Sequence, residues 1–314
     1  MSKKNSRVII LYSESDFTPW KENISADTLA AVMNAVSLNF KAAITHFTGF
    51  ENSFASFLRR FDLVVNLCYG FDQYSQTDVA CWLDAHSIQH TSSTCSAQLT
   101  AQDKAMLPAL CSELGILTPE LLDVNDVLAS GKTLILKPRF GSLHRGIIIF
   151  RDNEITIDEI LNEENIIQPY IYGREFTVAV IPNKETDGYD CLPPVEIVPV
   201  NGDEEFIAGN AAGRTIVNYD PLLSESMKNK IMSQVLALHK RIGLRGISRT
   251  DLKICGDDIF ILDVNSMPNL EPSKSFLPLI ARHNHISFHE LINRIINRFL
   301  NHYYSKENLV SVHY

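Results

Sequence analysis

No apolar run in this chain is long enough to cross a membrane or to form the core of a secretion signal. After the basic start Met1-Ser-Lys-Lys-Asn-Ser-Arg7 the apolar run is about five residues, and Ser13, Glu14 and Asp16 break it. The reading is therefore no membrane partner, with the cytoplasm as the expected compartment. Basic residues are also in deficit: 28 Lys and Arg face 37 Asp and Glu, a formal charge of −9. That balance disfavours general attraction to nucleic acid phosphate and predicts no nucleic-acid partner, while leaving room for a locally basic pocket. The cysteines Cys68, Cys81, Cys95, Cys111, Cys191 and Cys255 are too scattered for a structural zinc knuckle and are expected as buried free thiols rather than a disulfide framework. There is no internal repeat, coiled-coil run or low-complexity segment. Neither Gly-x-x-x-x-Gly-Lys-Ser/Thr nor Gly-x-Gly-x-x-Gly occurs in the candidate phosphate loop discussed below, so the two commonest phosphate-loop designs lose support.

What is present is an ordinary globular composition, 45% apolar and 21% charged over 314 residues. A chain of this size divides naturally into lobes of roughly 100 residues, with a cleft between them. Arg7–Tyr12 reads as a first strand, Ser25–Asn39 as a helix, Asp62–Cys68 as a second strand and Gln76–Ala85 as another helix. This predicts an α/β N-terminal lobe over 1–96 with a mostly parallel sheet. Ala97–Leu114 has a helical pattern in which Pro108 marks a kink or a break. Thr133–Pro138 and Gly146–Phe150 read as a strand and its return across a glycine-containing loop, within a central lobe over 97–171. The third lobe, 172–314, begins with Gly173–Val180. It contains a helix over Leu222–Ile242 stopped by Gly243, two strands turning at Cys255-Gly-Asp-Asp258, and an amphipathic helix from Phe288 to Leu300 followed by a polar tail, Ser305–Tyr314.

The chemistry concentrates in that strand pair. Side chains alternate along a strand, so Arg249 and Asp251 share one face and Asp263 and Asn265 share another, and two such faces can meet around a metal and a phosphate. Carboxylate and amide oxygens are the hard ligands that Mg2+ selects, together with nucleotide phosphates. The loop from Lys137 to Gly146 supplies two glycines, a hydroxyl, cations and exposed amides between apolar strands, which suits an anion beneath it. Asp103-Lys104 can enter the same cleft, giving two lysines against a triphosphate. On residue type alone, Lys104 also fits a solvated helix cation and the loop an ordinary glycine hairpin.

In combination and in chain order, these segments resemble the ATP-grasp superfamily, in particular its D-alanine:D-alanine ligase-like branch. Lys104 and Lys137 match that family's two nucleotide lysines, and Gly141-Ser142-Leu-His-Arg-Gly146 matches its flexible phosphate loop. Gln168-Pro-Tyr170-Ile171 resembles the adenine-facing hinge, and Glu175 the ribose-binding glutamate. The resemblance implies an ATP-grasp fold, α/β and α+β, in which an N-terminal parallel-sheet lobe accompanies two lobes that clamp ATP. It assigns Arg249 to phosphate and transition-state stabilisation, with Ser142 also in the catalytic set. Asp251, Asp263 and Asn265 are assigned to one or two Mg2+ ions. Asp263 stands where many relatives have glutamate, one methylene shorter but still a carboxylate.

The reaction implied is attack of a carboxylate on the terminal phosphate of ATP, followed by capture of the acyl-phosphate by an amine. Partners are then amino-acid or small-peptide carboxylate and amine substrates, and the resemblance also implies a homodimer. Departures from the family pattern cluster where substrate would be read. Tyr69 begins a segment where relatives carry His-Gly, Ser142-Leu143 replaces tandem serines, and the relatives' lysine–tyrosine segment is absent from Phe206–Thr215, leaving Arg214 as the local cation. Asn265-Ser-Met-Pro-Asn269 stands for Asn-Thr-x-Pro-Gly, so Asn269 is expected in a left-handed turn, with Lys274 and Ser275 within reach of a substrate carboxylate. Glu14 is expected to face a substrate amine. A specialised amino-acid or peptide ligase fits these departures better than strict D-alanine dipeptide synthesis. A nucleotide-regulated binding or scaffold protein of reduced activity is the alternative from another class.

Overall fold

The computed structural model describes residues 5–14, 23–129, 131–141, 146–151, 164–200 and 215–310. Ser142 and Arg214, both expected in the site, lie outside these residues. The chain opens with a parallel sheet of β1 (Arg7–Tyr12), β2 (Lys41–His46) and β3 (Leu63–Leu67) in the order β2-β1-β3. Val8, Ile9, Ile10 and Leu11 are all buried, because helices cover both faces of the central strand and every position becomes apolar. The expected strand over Asp62–Cys68 is therefore the third in the sheet. The edge strand β2 carries no strand pattern in sequence, because Lys41-Ala-Ala-Ile-Thr-His46 neither alternates cleanly nor buries a full face.

Helix α1 (Ala26–Ser37) starts where Ser25 accepts the Thr28 amide at 3.2 Å. After α2 (Asn52–Leu58), the short hairpin of β4 (Gly70–Phe71) and β5 (Tyr74–Ser75) leads into α3 (Gln76–Ala85), which opens with a Ser75/Asp78 capping box. The Pro108 pattern resolves into a break: α4 (Cys95–Gln102) ends at Asp103, and α5 (Leu107–Glu113) takes Pro108 in its first turn, where a missing amide hydrogen costs nothing. The packing of α3 against α4 joins Cys81 to Cys95 in a disulfide, which corrects the expectation of free thiols at those two positions. Cys68, Cys111, Cys191 and Cys255 are free.

Past α6 (Val124–Ala129), strands β6 (Leu134–Pro138), β7 (Ile148–Phe150) and β8 (Asn165–Pro169) form an antiparallel sheet ordered β7-β6-β8. A larger antiparallel sheet follows. It contains β9 (Arg174–Pro182), β10 (Tyr189–Cys191), β11 (Val195–Pro199), β12 (Thr215–Asn218), β13 (Ser248–Cys255) and β14 (Asp258–Asn265), in the order β12-β11-β9-β13-β14 with β10 also on β9. Helix α7 (Glu225–Ile242) runs to Gly243 as expected. Two helices close the chain, α8 (Phe276–His283) and α9 (Phe288–Val310). The last helix continues ten residues beyond the expected end at Leu300, into the polar segment read as a tail. Among the described residues no helix is long and apolar enough to cross a membrane.

The large sheet is covered on both sides, and β9 shows why. Phe176, Val178 and Val180 point into a core with α4, α5 and α7, whereas Ala179 and Ile181 join the core that also holds β1, β3, α8 and α9. Continuing the second set back along the strand brings Thr177 and Glu175 to the same face. Apolar alternation along one strand thus hands over to polar alternation at the cleft.

Candidate active site between the two antiparallel sheets

Strands β13 and β14 pair with Arg249 opposite Asn265 and Asp251 opposite Asp263, the register shifting only after Asp251. Residues directly opposite on paired strands share a face, so the four groups lie on one side of one sheet. This corrects the expectation of two separate faces meeting. On the other flank, Asp251 lies opposite Thr177 and Lys253 opposite Glu175, which extends the polar face onto β9.

Across from this face stands the small sheet. Between them is a cleft whose empty space, open solvent at its mouth included, is about 1250 Å³. Lys104, Lys137, Gly141, Gln168, Tyr170 and Ile171 line it from one side. Glu175, Arg249, Asp251, Asp263 and Asn265 line it from the other. With Lys253, the lining holds four cations against three carboxylates, so the cleft is locally basic inside an acidic chain.

Each cation is held in place. Arg139 makes two bonds of 2.7 Å to Asp103, whose carboxyl this pairing holds below the usual range. The same clamp fixes Lys104, whose amide bonds the Arg139 carbonyl at 3.1 Å and whose Nζ bonds the Gly141 carbonyl at 3.0 Å. Lys137 is 7% exposed and donates to the Leu262 carbonyl at 3.2 Å. Burial pulls its ammonium down to about 8, Asp263 acting in the opposite sense and Lys104 adding to the fall. Arg249 grips Asp251 through Nε at 3.1 Å and Nη2 at 2.9 Å, and lies over the Phe276 ring at 5.4 Å. Thr177 adds a 2.6 Å bond to Asp251 Oδ1.

The oxygen donors differ in how occupied they are. Asn265 Oδ1 accepts the Met267 amide at 2.9 Å, and both Asp251 oxygens are engaged by Arg249, whereas the Asp263 carboxylate makes no side-chain hydrogen bond among the described residues. Among those residues, no three His, Cys, Asp or Glu side chains gather as a metal cluster. The set is two carboxylates and an amide. Its all-oxygen chemistry fits a hard divalent cation whose shell a triphosphate would complete.

The remaining expected residues lie off the cleft lining. Tyr69 is 4% exposed and packs in the core shared by β1 and α9. Glu14 is exposed at the end of the described N-terminal segment. Gly146, with φ +71°, sits against Pro138 at the far end of the loop expected to hold phosphate. Asn269 is not left-handed; among the described non-glycine residues only Asp72, Ser87 and His285 have positive φ. Its Oδ1 instead accepts the Glu271 amide at 2.8 Å and the Ser275 hydroxyl at 3.2 Å, which ties the loop ahead of α8 and also occupies Ser275. Lys274 is largely exposed beside Glu271. Lys253 was not foreseen, although the two-residue alternation that selected Arg249 and Asp251 continues to it.

Residues 154–297 match the family model described as the D-ala D-ala ligase C-terminus. Over 234 residues the chain is 30% identical to the D-alanine–D-alanine ligase of Methylorubrum populi, spanning 68% of this chain and 73% of that protein. The chain belongs to the D-Ala-D-Ala ligase-like family of the ATP-grasp superfamily. The D-alanine–D-alanine ligase of an Anaeromyxobacter strain (Fw109-5) is 27% identical over 231 residues, covering 68% of this chain and 72% of that protein. The fold agrees throughout. The structure of D-alanine–D-alanine ligase from Bacillus anthracis complexed with ATP superposes with a TM-score of 0.72 at 18% identity, over 94% of this chain and 97% of that one. The VanG D-Ala:D-Ser ligase from Enterococcus faecalis gives 0.70 at 16% identity, over 94% and 99%. As a member of this ATP-grasp family the chain is an ATP-dependent ligase that joins a carboxylate to an amine.

Proposed function

We propose that this ligase couples amino acids or a small peptide through an acyl-phosphate, as a specialised relative of the D-alanine-joining enzymes. The observation that carries the reading is the convergence of eleven residues chosen from sequence on one basic cleft. The nucleotide base lies at Gln168, Tyr170 and Ile171, and the ribose at Glu175. The phosphates extend past Lys137 and Lys104 toward Arg249.

A substrate carboxylate oxygen attacks the terminal phosphorus, the bond to the bridging oxygen breaks, and ADP leaves. The uncharged amine then attacks the acyl carbon and expels phosphate, leaving an amide. Lys104, Lys137 and Arg249 stabilise charge on the transferring group without accepting a proton. Arg249 is pre-aimed by Asp251 and by the Phe276 ring, so little reorganisation is needed during transfer. Mg2+, when bound by Asp263, Asn265 and Asp251, supplies charge neutralisation on the phosphate oxygens.

The substrate-side departures support a specialised acceptor. Tyr69 is committed to the core, and Asn269 and Ser275 to each other. The test is an ADP-release screen across D- and L-amino acids and dipeptides, with mass measurement of products. ADP release requiring a carboxylate and an amine together, with a mixed or peptide-extended product, is expected. Exclusive formation of D-alanyl-D-alanine would overturn the specialised reading, and no product from any pair would overturn catalysis.

A further inference from the structure

Next to Lys104 and Asn265 the cleft is lined by neutral polar groups that the nucleotide and metal reading does not use. Gln102 ends α4 just before Asp103-Lys104, Ser266 follows Asn265 at the end of β14, and Gln76 opens α3; all three line the cleft. Their hydrogen bonds are one-sided. The Ser266 hydroxyl donates to Gln98 Oε1, which commits its only proton and leaves its oxygen as an acceptor. The Thr77 hydroxyl donates to Gln102 Oε1 at 2.5 Å, so the Gln102 amide keeps Nε2 as a donor, and this donor has no hydrogen bond among the described residues. The Gln76 side chain makes none among those residues either. Gln98 shows that packing alone does not account for the arrangement. It is fully buried, four residues before Gln102 on the same face of α4, and its Nε2 has no partner among the described residues. Buried amide hydrogens are nearly always paired, so holding Ser266 in this orientation costs the fold a hydrogen bond.

We infer that Ser266 and Gln102 take a secondary amide beside the reacting carboxylate, Ser266 Oγ accepting its N–H and Gln102 Nε2 donating to its carbonyl. The carboxylate substrate is then an N-acyl amino acid or a peptide rather than a free amino acid. Gln98, which holds Ser266, and Gln102 stand about one helical turn apart, roughly 6 Å along α4, a span that one amide bridges with its two hydrogen bonds. A free ammonium brings three donors and no acceptor, so it would leave Gln102 Nε2 unpaired. Gln76, Gln102 and Ser266 are also neutral and offer an ammonium no counter-charge as it leaves water. The inference rests on the acyl-phosphate reading of this cleft and adds the class of carboxylate it activates.

The test traps the acyl-phosphate with hydroxylamine, which removes the unidentified amine from the assay. The carboxylate oxygen attacks the terminal phosphorus and ADP leaves; the hydroxylamine nitrogen then attacks the acyl carbon and phosphate leaves, giving a hydroxamate. The full chain with magnesium and ATP is offered D- and L-amino acids, their N-acetyl derivatives and dipeptides, the last two separating an acyl cap from a peptide as the source of the amide. The wild type is expected to turn over the amide-bearing carboxylate with kcat/KM about tenfold or more above that of the matching free amino acid. Ser266→Ala, which removes the acceptor, should bring that ratio down to about one, and Gln102→Glu, which supplies a counter-charge, should turn the preference toward the free amino acid. Each comparison is a ratio within one protein, so partial loss of folded enzyme cancels. Free amino acids turned over by the wild type as well as their acylated forms would overturn the inference and leave the ligase reading standing, as would a ratio that neither variant lowers. Hydroxamate from none of the carboxylates would overturn both readings.

Discussion

Replacing Lys137 by methionine should weaken nucleotide binding while strengthening the fold. The ammonium is buried at 7% exposure, and its value falls from 10.5 to about 8, chiefly through burial. Because the folded value lies below the unfolded one, the charge opposes folding fully below pH 8, and that opposition is gone above about pH 10.5. The difference corresponds to about 3 kcal/mol at neutral pH. Methionine fills a similar volume without charge, and the Leu262 carbonyl left without its donor costs about 1 kcal/mol. The variant should therefore be about 2 kcal/mol more stable than the wild type at pH 7 and bind ATP at least about tenfold more weakly. Denaturant unfolding at pH 7 and near pH 10, with calorimetric ATP titrations, gives both quantities. Wild-type stability should gain from this residue as pH rises from 8 toward 10.5, and ATP affinity should fall as pH rises through about 8, where the folded protein loses the cation. A variant less stable than the wild type, with unchanged ATP affinity, would refute the placement of a strained cation in a phosphate site.

His239 is 1% exposed and bonds Ser248 through Nδ1 at 2.7 Å, and burial holds its value down at about 3. Since the unfolded imidazole titrates higher, stability should fall as pH drops from 6.5 toward 3, by about 2 kcal/mol at pH 5, and unfolding of His239→Gln should lack that component. Gly173→Ala places a Cβ 2.2 Å from the Ile254 carbonyl oxygen at φ +147°, so the start of β9 must shift; a large fall in melting temperature, with weakened ATP binding through Glu175, is expected. The Cys81–Cys95 bond closes a loop between residues 14 apart, and reduction should lower stability by about 3 kcal/mol. Thiol titration of unfolded, unreduced protein should find Cys68, Cys111, Cys191 and Cys255 only.

Local signals exposed most of the elements. Ser25 before α1, Gly243 after α7 and the apolar alternation of β13 and β14 each state a boundary or a face within a few residues of chain. The edge strand β2 gave no such signal, because half-exposed alanines carry neither period, and the Cys81–Cys95 contact arises from packing between helices rather than from spacing. In the site, strand alternation placed Arg249 and Asp251 together, but only the pairing register reveals that Asp263 and Asn265 share their face. Lys253 was legible by the same alternation. The turn at Asn269 misled because a side-chain oxygen can tie a loop that glycine would leave to backbone conformation.

A crystal structure of the protein with magnesium and a non-hydrolysable ATP analogue tests the central claim most directly. The account predicts the base against Gln168, Tyr170 and Ile171, the ribose at Glu175, and the terminal phosphate among Lys104, Lys137 and Arg249 with metal density at Asp263. Nucleotide bound outside the cleft between the two antiparallel sheets, or phosphates that touch neither lysine, would contradict it.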